Sequence, residues 1–197
     1  MLERSVPMYE ECQDLAVHWC VKYSQSSTYI YDLGCSTGSL LVKLAKTLKP
    51  HASIKLIGVD NSPAMLKKSE EALKNFPVSY ELVEENLNEN LTFINASVIV
   101  LNYTLQFVQP ENRIPLLQNI YNGLIPGGSL VLIEKVKSDV PELNNTFIEL
   151  HHQFKEQKGY SKLEISQKRE ALENVLIPLT VKKNSNQLNS AGFSTVD

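Results

Sequence analysis

Two stretches of the chain, Asp32-Leu33-Gly34-Cys35-Ser36-Thr37-Gly38 and the carboxylate Asp60, have the make-up of a ligand site. The first group joins an apolar run to an amphipathic one. Small residues there let the backbone reverse sharply and come close to a ligand. Amide groups at the start of the following helix can donate to a carboxylate, such as that of a methionine moiety. Ser36 stands where a dinucleotide fingerprint has glycine, and no Gly-Lys-Ser/Thr phosphate loop occurs. Asp60 ends the next apolar run and offers two acceptor oxygens at one point, as a pair of ribose hydroxyls requires. A helix cap would also explain it, although Ser62 is the better placed cap. In this order, the two features point to a nucleoside-containing cofactor. Asn86, in Glu85-Asn86, stands where an adenine amino group could be met; an exposed polar turn is the alternative reading.

Other reactive residues point nowhere so clearly. His151 and His152 are adjacent, so on a helix they diverge by roughly 100° and do not share a metal easily. His151 lies beside an apolar stripe and reads as a packed residue. Lys135 follows an apolar strand near the expected ligand edge, with solvated surface as its default reading. Cys12, Cys20 and Cys35 are odd in number and lack metal-site spacing, so free thiols in a reducing cytoplasm and no metal are expected. A net charge of −3 with 43% hydrophobic residues describes an ordinary globular chain without the basic surface that nucleic acid needs. The first seven residues have no apolar segment of a secretory signal, and no run approaches a membrane span. A cytoplasmic protein, binding neither membrane nor nucleic acid, is expected.

Strand and helix patterns alternate, which predicts an α/β fold with a mostly parallel sheet and helices on both faces. Helices are expected over residues 9–23, from Leu40 to before Pro50, over 63–75 behind Ser62 and Pro63, and over 112–122. Strands are expected over 29–33, 54–59, 78–83, 97–101 and 129–134. Leu124-Ile125-Pro126-Gly127-Gly128 reads as a compact turn. Leu143, Phe147, Leu150 and Phe154 then mark one side of a helix ending near Gly159. Ser161-Lys162-Leu163-Glu164 fits a capping box opening a helix to about residue 175. Residues 139–177 thus form a helical insertion suited to a lid or dimer contact. A last short helix over 184–192 leads to Phe193. Residues 1–197 read as a single domain, and the two strands that usually close such a sheet are not found before Asp197.

Arg4-Ser5-Val6-Pro7, Tyr9, Tyr31-Asp32-Leu33-Gly34-Cys35-Ser36, Asp60-Asn61-Ser62-Pro63-Ala64-Met65, Leu101-Asn102-Tyr103-Thr104-Leu105-Gln106-Phe107 and Leu163-Glu164-Ile165-Ser166-Gln167-Lys168-Arg169 resemble, in order, the carboxy-S-adenosylmethionine synthase family. Leu172-Glu173-Asn174-Val175 extends the likeness. The resemblance implies a Rossmann-like methyltransferase fold in a homodimer. It implies S-adenosylmethionine as cofactor and prephenate as small-molecule substrate, the products being carboxy-S-adenosylmethionine and phenylpyruvate. A separate enzyme would use the first product to modify a wobble uridine in tRNA. Carried onto this chain, Tyr9 would contact the ligand from the N-terminal segment, Gly34, Cys35 and Ser36 would line the methionine side, Asp60 and Asn61 the ribose and adenine side, and Asn86 and Leu87 would flank adenine. Asn102 would face the reacting end. Arg169 would reach across the dimer to pair with the added carboxylate. A guanidinium offers that carboxylate a bidentate fork; a surface pair with Glu173 is the other reading. Glu85-Asn86 departs from the Gly-Asp expected after the third strand. An ordinary S-adenosylmethionine-dependent methyltransferase and a shortened non-catalytic relative are the competing readings.

Overall fold

Ala96-Ser97-Val98-Ile99-Val100-Leu101 is buried along its whole length, as expected of a central strand covered on both faces. The protein is described here from a computed structural model covering residues 4–48 and 53–196. Its strands are β1 (Tyr29–Leu33), β2 (Lys55–Asp60), β3 (Ser79–Glu84), β4 (Ala96–Asn102) and β5 (Leu124–Ile133). They form one sheet in the order β3-β2-β1-β4-β5, and every neighbouring pair is parallel. The strand order reverses between β1 and β4. Crevices outside the carboxyl ends of strands at such a reversal are where open α/β sheets bind ligands.

Seven α-helices are described: α1 (Tyr9–Tyr23), α2 (Ser39–Thr47), α3 (Pro63–Leu73), α4 (Pro110–Gly123), α5 (Pro141–Gln157), α6 (Lys162–Ala171) and α7 (Val181–Ala191). Side chains alternate across the strands and so divide the core in two. Ile30, Leu56, Val98 and Val100 pack with Ala16, Val17 and Cys20 of α1, Leu40, Leu41 and Leu44 of α2, and Leu66 and Leu73 of α3. Leu33, Ile57, Ile99 and Leu101 face the other way, onto Leu116, Leu117 and Ile120 of α4 and Ala191 of α7.

Several boundaries differ from the sequence expectation. The compact turn at 124–128 is absorbed into β5. Leu124 faces Ala96 and Ser129 faces Val98, so residues 125–128 bulge opposite Ser97 alone. Helix α3 ends at Leu73, and α4 starts at Pro110, a residue pre-set for a first helical turn. The insertion's second helix, α6, stops at Ala171 instead of reaching about 175. Helix α7 begins at Val181, before 184, because the Thr180 side chain caps it by accepting from the Lys183 amide at 3.3 Å. Pro50, where α2 was expected to have ended, lies outside the described residues.

The insertion leaves and rejoins the body side by side. Val136 bridges Leu179, and the Lys137 amide donates to the Leu179 carbonyl at 3.0 Å. Between these points α5 has no buried residue, and Leu143, Phe147 and Leu150 are 50%, 50% and 56% exposed. Such a row at helical spacing is an apolar face that nothing in the single chain covers. The capping box opening α6 is present: Ser161 Oγ accepts the Glu164 amide, and Glu164 Oε2 accepts the Ser161 amide at 2.7 Å. Among the described residues no helix is long and apolar enough to cross a membrane.

Candidate active site

The turn after β1 is held shut from inside the protein. The amides of Gly34 and Cys35 both donate to the Val59 carbonyl, at 2.7 and 3.0 Å, and that of Gly38 to the Cys35 carbonyl at 2.9 Å. The Ser36 amide donates to Asp60 Oδ2 at 2.9 Å, and the Ser62 amide to Asp60 Oδ1 at 2.9 Å. Asp60 therefore fixes two loops at once: the β1 turn and the start of α3. The Gly34, Cys35, Ser36 and Gly38 amides are thus engaged within the protein. Gly34 lets the turn come close to the β4 loop. Its φ is +77°, and a Cβ there would sit 2.6 Å from Thr104 Cγ2 and Oγ1. A carboxylate has about four acceptor positions, so the half-buried Asp60 keeps capacity for two further donors.

A second loop follows β4 beside it. Asn102 ends the strand, and its Oδ1 is buried without a hydrogen-bond partner. Tyr103 takes a left-handed conformation (φ 58°), and its amide donates to the Ile133 carbonyl at 2.7 Å. Its ring lies against that of Tyr9, with centroids 6.4 Å apart. Gln13 Nε2 donates to the Tyr9 hydroxyl at 2.7 Å and to Ser39 Oγ at 2.9 Å, stitching the start of α1 to that of α2. Gln13 Oε1, like Asn102 Oδ1, is buried and unpaired. Unpaired buried acceptors are costly and mark places where a donor is wanted.

Glu134 sets the second loop. Its Oε1 accepts the Thr104 and Leu105 amides at 2.9 and 2.8 Å, and its Oε2 the Gln106 amide at 3.0 Å. Burial pushes this carboxyl up to about 7, against the pull of the three amides and Arg113. Arg113 is itself buried and donates to the Val108, Gln106 and Ile177 carbonyls at 2.8, 3.2 and 2.9 Å. It thereby ties the loop to the segment by which the insertion rejoins the body. Asp32, fully buried at the end of β1, is pushed up to about 7 by burial and then by Asp60. Burial also raises the Cys35 thiol well above its ordinary range, so that side chain serves as packing.

The expected residues do not all behave alike. Tyr9, Gly34, Cys35, Ser36, Asp60 and Asn102 are drawn to the β1, β2 and β4 carboxyl ends. Asn61 is exposed between Asp60 and the cap of α3, and Leu87 is half-buried against the α4 side of the core. Asn86 turns inward: its Oδ1 accepts the Asn88 amide at 3.1 Å and Asn88 Nδ2 at 3.2 Å, closing its own turn. Arg169 is exposed on α6, has no ion pair with Glu173, and acts as a charged neighbour of Lys135. His151 is half-buried, and its Nε2 donates to the Ser5 carbonyl at 2.8 Å. Glu134, Arg113 and Gln13 were not singled out from sequence. Glu134 ends a strand-like run, and only the folded register brings it under the β4 loop.

A family model described as a methyltransferase domain matches residues 30–128. The carboxy-S-adenosyl-L-methionine synthase of Methylococcus capsulatus is 43% identical over 199 residues, covering 100% of this chain and 82% of that protein. The enzyme of the same name from Trichodesmium erythraeum is 45% identical, covering 100% of this chain and 78% of its own. Among solved structures, the cyclopropane synthase MmaA2 from Mycobacterium tuberculosis aligns with a TM-score of 0.67 at 13% identity, over 95% of this chain and 63% of that one. The mitomycin 7-O-methyltransferase MmcR aligns at 0.62 and 15% identity, over 94% and 48%. The structural likenesses show the Rossmann-like methyltransferase fold alone, whereas the sequence likenesses span the whole chain. With 43% and 45% identity to these enzymes along the whole chain, and with the glycine turn, the carboxylate ending β2 and the helical insertion in order, the chain belongs to the carboxy-S-adenosyl-L-methionine synthase family and is a transferase.

Proposed function

We propose that the protein makes carboxy-S-adenosylmethionine from S-adenosylmethionine and prephenate, releasing phenylpyruvate and water. The bound cofactor supplies an activated methyl carbon. The stoichiometry closes if prephenate gives up carbon dioxide and hydroxide, the hydroxide takes a methyl proton, and the carbon dioxide joins that carbon. The unpaired buried Oδ1 of Asn102 fits such a cofactor. Tyr9, Gly34, Cys35 and Ser36 would hold its methionine part, and Asp60 and Asn61 its ribose. Leu87 would flank adenine together with Asn86, whose amide NH2 rather than its engaged oxygen would be free to face the base. Asn102 would orient the reacting end, and α5 and α6 would keep water from it.

The observation that carries this reading over simple methyl transfer is Arg169. A methyl group needs no cation, yet α6 presents a guanidinium that has no ion pair among the described residues. It would form the fork for the new carboxylate. The exposed row Leu143, Phe147 and Leu150 supports a homodimer in which this arginine serves the partner's site. On this reading the enzyme works in the cytoplasm on small molecules, without a metal and without touching RNA itself. A separate enzyme then uses the product for tRNA wobble-uridine modification. The test is Arg169→Ala: carboxylated product should be lost while S-adenosylmethionine still binds. An unchanged yield of carboxylated product would remove the proposed role of the arginine.

A further inference from the structure

Gln13 shares the buried face of α1 with Tyr9, Ala16, Val17 and Cys20, and is 1% exposed. An apolar side chain would pack that face at less cost. A buried amide gives up its bonds to water, and this one keeps Oε1 without a partner. What the amide gains is a grip on two hydroxyls. Its Nε2 donates to Tyr9 Oη, one helical turn back, at 2.7 Å, and to Ser39 Oγ at 2.9 Å, which uses both of its protons. The two hydroxyls are 3.3 Å apart, so the three polar groups close a triangle. Ser39 is the first residue of α2, directly after Gly38. Tyr9 is the first residue of α1 and is buried. Its ring stacks on that of Tyr103, with centroids 6.4 Å and planes 29° apart, and Tyr103 directly follows Asn102 at the end of β4. Tyr9 thus spans the place where the strand order reverses: its hydroxyl lies at the helix that follows the β1 turn, and its ring lies against the β4 loop. Tyr103 is fixed on its own side by a left-handed backbone and by its amide bond to the Ile133 carbonyl at 2.7 Å. The hydroxyl end of Tyr9 is fixed from α1 by Gln13.

We infer that Gln13 is a positioning residue for the cofactor, holding the Tyr9 hydroxyl beside the start of α2 so that the Tyr9 ring stands ready as a wall for the methionine part of S-adenosylmethionine. The inference rests on the proposed cofactor and deepens the role given there to Tyr9. Gln13 touches no reacting atom and acts through Tyr9. Stacking on Tyr103 orients the ring but is broad in angle and offset. A directional bond from a buried amide at the far end of the side chain removes the remaining freedom. A group ordered in advance spares the cofactor that ordering cost when it binds, and a supporting side chain of this kind is what keeps a contact residue in its productive place.

The test is a double-mutant cycle on the whole chain, read as the Kd for S-adenosylmethionine by calorimetry. Gln13→Leu should raise Kd by about 10-fold, the scale of one net hydrogen bond. In a Tyr9→Phe chain, which has no hydroxyl to hold, the same substitution should add no more than about a twofold change. A residue that only packs α1 would cost the same in both backgrounds, so equal effects would overturn the inference, as would an unchanged Kd in Gln13→Leu. If Gln13→Leu does not fold, Gln13→Met, unbranched and without an N–H donor, takes its place under the same rule. Failure of both to fold would mark Gln13 as a structural residue and overturn the inference. If the unsubstituted protein binds no S-adenosylmethionine, the cofactor reading fails and the inference falls with it. If it binds the cofactor but makes no carboxylated product, the proposed reaction fails alone, and the cycle, which involves no prephenate, still decides the role of Gln13.

Discussion

Asp60 joins the β1 turn to the start of α3 because one carboxylate accepts from Ser36 and Ser62 together. Replacing it with alanine strands both amides, at about 1–3 kcal/mol for each donor left unsatisfied. Asp60→Ala should therefore lower the melting temperature and weaken S-adenosylmethionine binding by at least about 100-fold, read by calorimetry; Asp60→Asn, which keeps one acceptor, should do less. Asp32 gives a prediction of opposite sign. Its folded value of about 7 lies above that of an unfolded aspartate, so the folded state holds the extra proton between the two. Stability from this group is complete below the unfolded value and is lost as pH rises through about 7, with Glu134 acting in the same direction. Thermal melts without ligand should fall between pH 5 and pH 8, and Asp32→Asn should flatten that slope. Asp60 and Gly34 were legible in the sequence because a strand followed by a glycine turn, then a strand ending in a carboxylate, fixes them locally. Asn86 was legible as a polar turn residue, but its oxygen's commitment to Asn88 depends on a local bond that spacing does not reveal.

At the scale of elements, the β1 turn and the β4 loop interlock where Gly34 meets Thr104. Gly34→Ala combines a left-handed residue with a methyl overlap of Thr104, a loss of about 2–5 kcal/mol. Thr104→Ala removes the two atoms at 2.6 Å and leaves Cβ at 3.2 Å, so it should recover the steric part but not the backbone part. Denaturation of the double variant should thus fall between the single Gly34→Ala variant and the parent, a coupling that distant sites would not show. Glu134→Gln sets an amide NH2 among backbone donors that now meet a carboxylate, and should cost about 1–3 kcal/mol. Because Glu134 holds the loop that directly follows Asn102, the residue proposed to orient the reacting end, kcat should drop more than S-adenosylmethionine affinity. The parallel order was readable from alternating strand and helix patterns. The bulge of β5 opposite Ser97 was not, because a Pro-Gly-Gly turn looks the same whether it precedes a strand or buckles one. The early start of α7 turned on a threonine cap, a signal present at Thr180 but overshadowed by the lysines behind it.

For the whole molecule, the insertion is the distinctive part: a methyltransferase-type sheet carries two further helices, of which α5 buries no residue and α6 buries Ile165. Their apolar row and Arg169 face different tasks, one suited to a second copy of the chain and the other to a carboxylate. Phe147→Glu places a charge in the apolar row and should shift the protein to monomer in light scattering, with S-adenosylmethionine binding kept because the cradle lies on the sheet. If Arg169 serves the partner's site, carboxylated product should disappear in the same variant. The proposed reaction is tested by incubating the purified protein with S-adenosylmethionine, with and without prephenate, and weighing the nucleotide by mass spectrometry. A prephenate-dependent product heavier than S-adenosylmethionine by one carbon dioxide is expected, absent in Arg169→Ala. A nucleotide that keeps its original mass, or loses its methyl group regardless of prephenate, would contradict that reaction.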